Sequence, residues 1–347
     1  MIKKSCILPA ALLALAVSPA TNANVQVYGQ AHMAALAADD GDDYSALNFT
    51  SNNSRLGFRA EHEIDRNLTA FAQVETQIDF GTTNTNSMTG RNTFLGLKGY
   101  WGQLRAGRFD SPSKRLRNAA DLFGNQLGDM RNLARGNYQT IPGDGDSQLQ
   151  GFDERIRHSV AYRTPTLNGF SVEVLYSAEH QNNGDADDSN PNDAFSGALT
   201  FQMGGLYAAL SHERWNNEDP DSERNVTRAA GSYDTDRVRV TAFVQRATDP
   251  ADWVYSVGSR YALTDNMGLR AQYTMMDADD GDFDGQQISL GGDYQYSPEL
   301  QFYANYAQLS NDEQLTQAPW REASTLGQRG AADETAHAFS LGAIYSF

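Results

Sequence analysis

Cysteine is almost absent. The 347-residue chain has one, Cys6, which precedes an apolar run near the amino terminus and so is not placed to carry a lipid after it. With none beyond it, no disulfide framework can hold the fold. Long hydrophobic runs are also missing. No stretch approaches the roughly eighteen consecutive apolar residues of a spanning helix. Mean hydropathy is −0.57. A helical membrane protein is thereby excluded, but a barrel of spanning strands is not, because half of each strand faces a polar interior and dilutes the hydropathy. Positive charge is scarce too: 27 Lys and Arg against 44 Asp and Glu leave a net charge of −17. A nucleic-acid partner calls for a basic surface, so that class is excluded.

Residues 1–23 have the grammar of a secretory leader. Lys3 and Lys4 form the charged start, Ile7 to Val17 the apolar run, and Thr21-Asn22-Ala23 the small-residue cleavage site. Its removal leaves 324 residues with a net charge near −19, exported and free of cysteine.

From residue 24 onward the chain repeats one unit: a strand of about ten residues, a short turn, a second strand and a longer acidic loop. Tight turns fall at 63–67, 99–102, 166–169, 203–205, 234–237, 263–266 and 297–299. Long Asp/Asn/Gly-rich connections fall at 38–43, 81–90, 179–193, 216–224, 277–285 and 310–334. The segments number about sixteen, an even count that suits an antiparallel membrane barrel with short turns at one end and long loops at the other. Period-two alternation runs through them. Leu68, Ala70, Ala72 and Val74 oppose Thr69, Gln73 and Glu75; Val238, Val240 and Ala242 oppose Arg237, Arg239 and Thr241. Charge on the second face implies a wet interior, since unpaired charge in a packed core is very costly. The last residues, TAHAFSLGAIYSF, alternate in the same way, with Phe339, Leu341, Tyr345 and Phe347 on one face. They predict a closing strand paired with the one that starts near Val25. Tyr100, Trp101, Trp215, Trp253, Tyr294 and Tyr296 sit near strand ends, as an aromatic girdle at the two membrane interfaces requires.

One connection, residues 111–154, is far longer than the others and mixed in charge, with Lys114, Arg115, Arg117, Arg131 and Arg135 beside Asp121, Asp129, Asp144 and Asp146. Loops of this length are seldom without a role, and a barrel this wide has room for it to fold inward.

The runs SRLGFRAEHEIDRNLTAFAQVE (54–75), RNTFLGLKGYWGQLRAGRFDSP (91–112) and RIRHSVAYRTPTLNGFSVEVLYS (155–177), with YGQ at 28–30 and the terminal AIYSF, resemble in order and spacing the Gram-negative general porins of the outer membrane. The resemblance covers residues 24–347 as a single domain. It implies an all-β transmembrane barrel of sixteen strands, with residues 111–154 as a constriction loop inside the lumen. It further implies a homotrimer, contact with outer-membrane lipid and lipopolysaccharide, and recognition of the strand ending at Phe347 by the barrel-assembly machinery. Basic strand residues then face acidic residues of the loop across the narrowest point. Carried over onto this sequence, the basic wall takes Arg55, Arg108 and Arg163, and the acidic loop Asp121 and Asp129. Alternation puts Arg55, Arg59, Arg105, Arg157 and Arg163 inward. Arg108 shares parity with Leu104 and Ala106, so only the resemblance places it in the lumen. Where some relatives carry a lysine in the first strand, this chain has Gln30.

The implied function is passive diffusion of ions and small hydrophilic solutes, with no cofactor or metal and no catalysis. A substrate-preferring porin, a structural barrel and a barrel hydrolase are the alternatives. Hydrolysis needs a nucleophile beside an oriented base, and His32, His62, His158, His180, His212 and His337 lie in no such motif. DADDGDFDG (277–285) and ADDGDD (38–43) lack the terminal Glu of a calcium loop and read as solvated acidic loops, able at most to bridge weakly through divalent cations to lipopolysaccharide.

Overall fold

Alternation at this length produces strands, and the computed structural model contains seventeen. It describes residues 24–81, 90–139, 151–180, 192–216, 223–324, 326–327 and 329–347. The leader of residues 1–23 and the tips of several long loops, Asp144 and Asp146 among them, lie outside these. The strands are β1 (Asn24–Asp39), β2 (Ser45–Ser51), β3 (Arg55–Asp65), β4 (Leu68–Gln77), β5 (Thr93–Gly99), β6 (Gly102–Asp110), β7 (Arg155–Arg163), β8 (Phe170–Ser177) and β9 (Ala194–Met203). They continue as β10 (Leu206–Trp215), β11 (Arg224–Asp234), β12 (Val238–Ala247), β13 (Asp252–Ala262), β14 (Met267–Ala278), β15 (Gly285–Gln295), β16 (Leu300–Asn311) and β17 (Thr335–Ser346).

All pairings are antiparallel, and apart from those of β1 with β3 and with β17 they join sequence neighbours. β2 pairs with β1 along Met33–Asp39 and β3 with β1 along Asn24–Gln30. The two are halves of one stave, broken near Asn53, whose φ is 60°. The closed barrel therefore has sixteen staves. Closure removes the free edges that a membrane would leave without hydrogen-bond partners. The carboxy-terminal residue shares in it: Gly29 N–H donates to the Phe347 carbonyl at 2.8 Å, and Phe347 N–H donates to the Gly29 carbonyl at 3.1 Å. Phe347 is 56% exposed and Ser340 only 2%, so the outward row of β17 meets lipid and the inward row the interior.

Tight turns gather at one end of the barrel and long connections at the other. One outer connection, Thr248–Ala251, is as short as the inner turns. The girdle holds at Tyr100, Trp253, Tyr294 and Tyr296, all exposed. Trp215 is the exception: it is 1% exposed and packs inside against Phe152 and His180. Its register on β10 is that of inward Ala209 and Glu213, which decides its side of the wall.

The segment after β6 turns into the lumen. Ser111 and Pro112 start helix α1 (Pro112–Ala120), the Ser111 hydroxyl accepting from Lys114 N–H at 3.1 Å. A second short helix, α2 (Arg131–Ala134), follows. Leu116, Ala120, Met130, Leu133 and Ala134 pack against Ala209, Ala230, Phe243, Val254, Met276 and Leu309, the inward row of β10–β14 and β16. Each large apolar side chain buried there contributes about 1.5–3 kcal/mol. At the far end, Arg228 of β11, itself buried, donates to Asp153 at 2.7 Å and to the Ala134 carbonyl. A second outer segment also leans inward. Leu315 joins the packing against the loop, while Ala318 and Trp320 bury themselves with Leu36, Leu127 and Ala307.

Candidate functional site, the lumen beside the inward loop

With the loop leaning on β10–β16, a polar cavity of about 700 Å³ remains between it and the facing wall of β3–β7. Among the described residues nine cationic side chains line it, Arg55, Arg59, Arg91, Arg105 and Arg155 from the wall side and Lys114, Arg117, Arg131 and Arg135 from the loop. Among the same described residues three carboxylates line it, Glu75, Asp110 and Glu322. Each is held by a cation: Glu75 accepts from Arg91 at 2.6 Å, Asp110 pairs with Lys114 at 2.9 Å, and Glu322 pairs with Arg135 at 2.8 Å. Arg55 and Arg59 hydrogen-bond mainly to neutral amides, Gln30 at 2.8 Å and Gln73 at 3.0 Å, with Glu75 no nearer to Arg55 than 3.7 Å. Their charge is therefore little compensated.

Strand alternation delivers Arg55, Arg59 and Arg105 to this cavity. Arg163 also faces inward, but into a smaller pocket of about 180 Å³ that it shares with Arg115, Glu173 and Tyr207.

Arg108 and Arg157 line neither of these two cavities. The pairing of β6 with β7 shifts register between Gly107 and Phe109, so Arg157 and His158 together oppose Arg108. His158 takes φ 46° and Gly107 φ 141°. A bulge of this kind reverses parity beyond it. Inward Ser159 is followed, toward the outer rim, by two outward residues before inward Ile156. Arg108 stays in the outward row, across from Thr93 and beside exposed Leu95 and Leu104. The inward placement of Arg157 extrapolated parity through the bulge, and that of Arg108 relied on the resemblance; the local backbone overrides both.

Asp121 and Asp129 are also displaced from the expected surface. Their side chains have 0% exposure and form the interior of the loop itself. Asp121 accepts from Arg117 at 2.9 Å and from Phe123 N–H at 2.9 Å, while Asp129 takes Arg131 at 2.7 Å and is the weaker partner of Arg117, at 3.6 Å. Burial, then the neighbouring Asp129 charge, pushes Asp121 up to about 7 despite Arg117. Asp129 falls below the usual carboxylate range: burial acts against this, but Arg131 and Arg117 together outweigh it. Two carboxyls so close and so buried resist ionising together, and Asp121 is the one whose ionisation is disfavoured. Among the described residues, the loop therefore turns a basic face, not an acidic one, to the wall.

A sequence model of Gram-negative porins matches residues 10–314. The chain belongs to that family. It is an outer-membrane β-barrel protein of a Gram-negative bacterium. An outer membrane porin of Bordetella pertussis is 28% identical over 251 residues, 65% of this chain and 61% of that relative, so the match spans less than two thirds of the relative's length. The anion-selective porin from Comamonas acidovorans shares the fold with TM-score 0.78 at 20% identity, covering 94% of this chain and all of that one. The outer membrane protein OmpT of Vibrio cholerae, in trimer form, shares it with TM-score 0.67 at 18% identity, covering 94% and 100%.

In this porin the lumen-lining residues not anticipated were Arg91, Arg155, the loop cations, Asp110 and Glu322, whereas alternation had already put Glu75 on the wet face. The signal for the loop cations was present: after a Ser-Pro helix start, Lys114 and Arg117 lie three apart on one face and Leu116 and Ala120 four apart on the other.

Proposed function

We propose that this porin is a general diffusion channel whose narrowest part is the cavity between residues 111–139 and the β3–β7 wall, and that this part favours anions. Ions and small hydrophilic solutes cross down their gradients. The observation that carries this reading is the charge of the cavity lining, nine cations against three carboxylates. Arg55, Arg59 and Arg105 form the basic wall, with Arg163 contributing from the smaller pocket. Lumen charges are screened less than exposed ones, so the lining outweighs the acidic outer loops. Catalysis has no part in this reading, since the family and the fold are those of a channel. Assembly as a homotrimer and contact with lipopolysaccharide follow the family resemblance, as does recognition of the Phe347 strand by the assembly machinery.

Planar-bilayer conductance tests the reading. Ohmic steps in groups of three are the expected result. Absence of conductance from folded, membrane-inserted protein would overturn it.

A further inference from the structure

Carboxylates are the minority charge among the described residues of this lumen, and Glu173 and Glu322 each hold two guanidinium groups of which at least one comes from the loop. Glu173 on β8 is 6% exposed. Its Oε1 accepts from Arg105 Nη2 at 2.8 Å, and its Oε2 from Arg115 Nη2. Arg105 comes from β6 and lines the main cavity; Arg115 comes from α1 and lines the smaller pocket. Among the described residues neither has a second carboxylate within ion-pair distance. One carboxylate thus stands between the two basic compartments and ties the loop to the wall.

Glu322 repeats the arrangement from the outer side. Its Oε1 pairs with Arg135 Nη1 at 2.8 Å and its Oε2 with Arg131 Nη1 at 3.4 Å. Its own backbone N–H donates to Asn132 Oδ1 at 3.1 Å, and the nearby Pro319 carbonyl accepts from Gly128 N–H and from Asn132 Nδ2, both at 2.9 Å. The outer segment therefore delivers this carboxylate to the loop in a fixed position.

We infer that Glu173 and Glu322 set the strength of the channel's ion selectivity. Glu173 neutralises a pair of guanidinium groups that would otherwise face permeating ions with their full charge, and Glu322 completes the compensation of Arg131, which Asp129 also holds at 2.7 Å, and of Arg135, which Glu154 also holds. The inference rests on the anion-favouring reading of the lumen and adds the residues that limit it. An arginine of either pair is a weaker lever, because its loss leaves the carboxylate to compensate the remaining one. Removing the Glu173 charge unmasks both of its arginines at once, removing the Glu322 charge adds one uncompensated positive charge around Arg131 and Arg135, and glutamine keeps the shape and part of the hydrogen bonding.

The test is the zero-current potential across a bilayer with a potassium chloride gradient, for wild type, Glu173→Gln, Glu322→Gln, the double variant and Glu173→Asp. Each glutamine variant should raise the chloride-to-potassium permeability ratio about fourfold, because one unit charge about 10 Å away through water weights chloride up and potassium down by about twofold each. The double variant should exceed either, and Glu173→Asp should keep the wild-type ratio. Amide hydrogen exchange of residues 112–134 should stay close to wild type. A wild type that prefers chloride while the glutamine variants leave the ratio unchanged, or lower it, overturns this inference alone. A wild type that prefers potassium overturns the reading of the lumen beneath it. Faster exchange of the loop with a ratio moving toward unity also overturns the inference, because the carboxylates would then act only as tethers.

Discussion

The inner wall of this barrel has two halves built on the same alternation. On β10–β14 and β16 the inward positions that pack on the loop include the small or apolar residues Ala209, Ala230, Phe243, Val254, Met276 and Leu309, set among buried polar ones such as Arg228, Gln245 and Gln272. On β3–β6 they are Arg55, Arg59, Gln73, Glu75 and Arg105. The first half is dry because the loop lies on it, and the second is wet because the loop does not. α1 joins them, with Leu116 and Ala120 toward the dry half and Lys114 and Arg117 toward the wet one. Inward composition thus decides where an inward loop settles and which strip of wall is left to carry solute.

The largest way to break this contrast is to unpack the dry half. Met130→Ala with Leu133→Ala should cost about 2–5 kcal/mol per site. The loop should detach, hydrogen exchange of residues 130–134 should quicken by orders of magnitude, and single-channel conductance should rise. Unchanged exchange would mean that the apolar contacts do not hold the loop.

Next in size is reversal of the wet half. Arg55→Glu with Arg59→Glu replaces two weakly compensated cations by two anions. Zero-current potentials in a salt gradient should move from the chloride toward the potassium side, with loop exchange unchanged. No movement would take these residues off the ion path.

A smaller effect concerns pH. Asp121 titrates in the folded loop near 7, against an ordinary 3.8. A carboxyl raised in this way holds a proton in the native state that the unfolded chain has already lost. Its contribution is therefore complete below about 3.8 and is lost as pH rises toward 7. Hydrogen-exchange protection of the loop should fall across that interval and level off above it. Asp121→Asn should abolish the fall; persistence of the fall in that variant would assign it to another group.

The smallest effect lies outside the barrel. Asp42, Asp43 and Asp280 are exposed on outer loops, where screening acts over about 8 Å at physiological salt. Replacing all three with Asn should leave selectivity nearly unchanged at that salt and shift it toward anions at low salt. A large shift at physiological salt would move the selective region to the mouth.

Much of this fold was legible from residue order. Period-two alternation identified the strands and the inward sides of Arg55, Arg59, Arg105 and Arg163, and the alternation of tight turns with long loops gave the closed barrel. Its failures have local physical causes. The bulge opposite Arg108 inserts one residue into the pairing, so Arg157 lost its inward parity there, a shift that composition does not announce. Trp215 looked like a girdle residue because it ends a strand, but register turns it inside. Asp121 and Asp129 looked like loop-surface charge because nothing in a linear sequence shows that α1 and α2 enclose them between Arg117 and Arg131. Glu322 lies about 190 residues beyond the loop it contacts, so only tertiary structure joins the two.

The central claim is that the wet half of the wall, and not the acidic exterior, governs permeation. The zero-current potential of the wild-type channel across a potassium chloride gradient at physiological ionic strength tests it most directly. The account predicts the sign of chloride preference, in a protein whose net charge is −17. A potential of the potassium-preferring sign would contradict it.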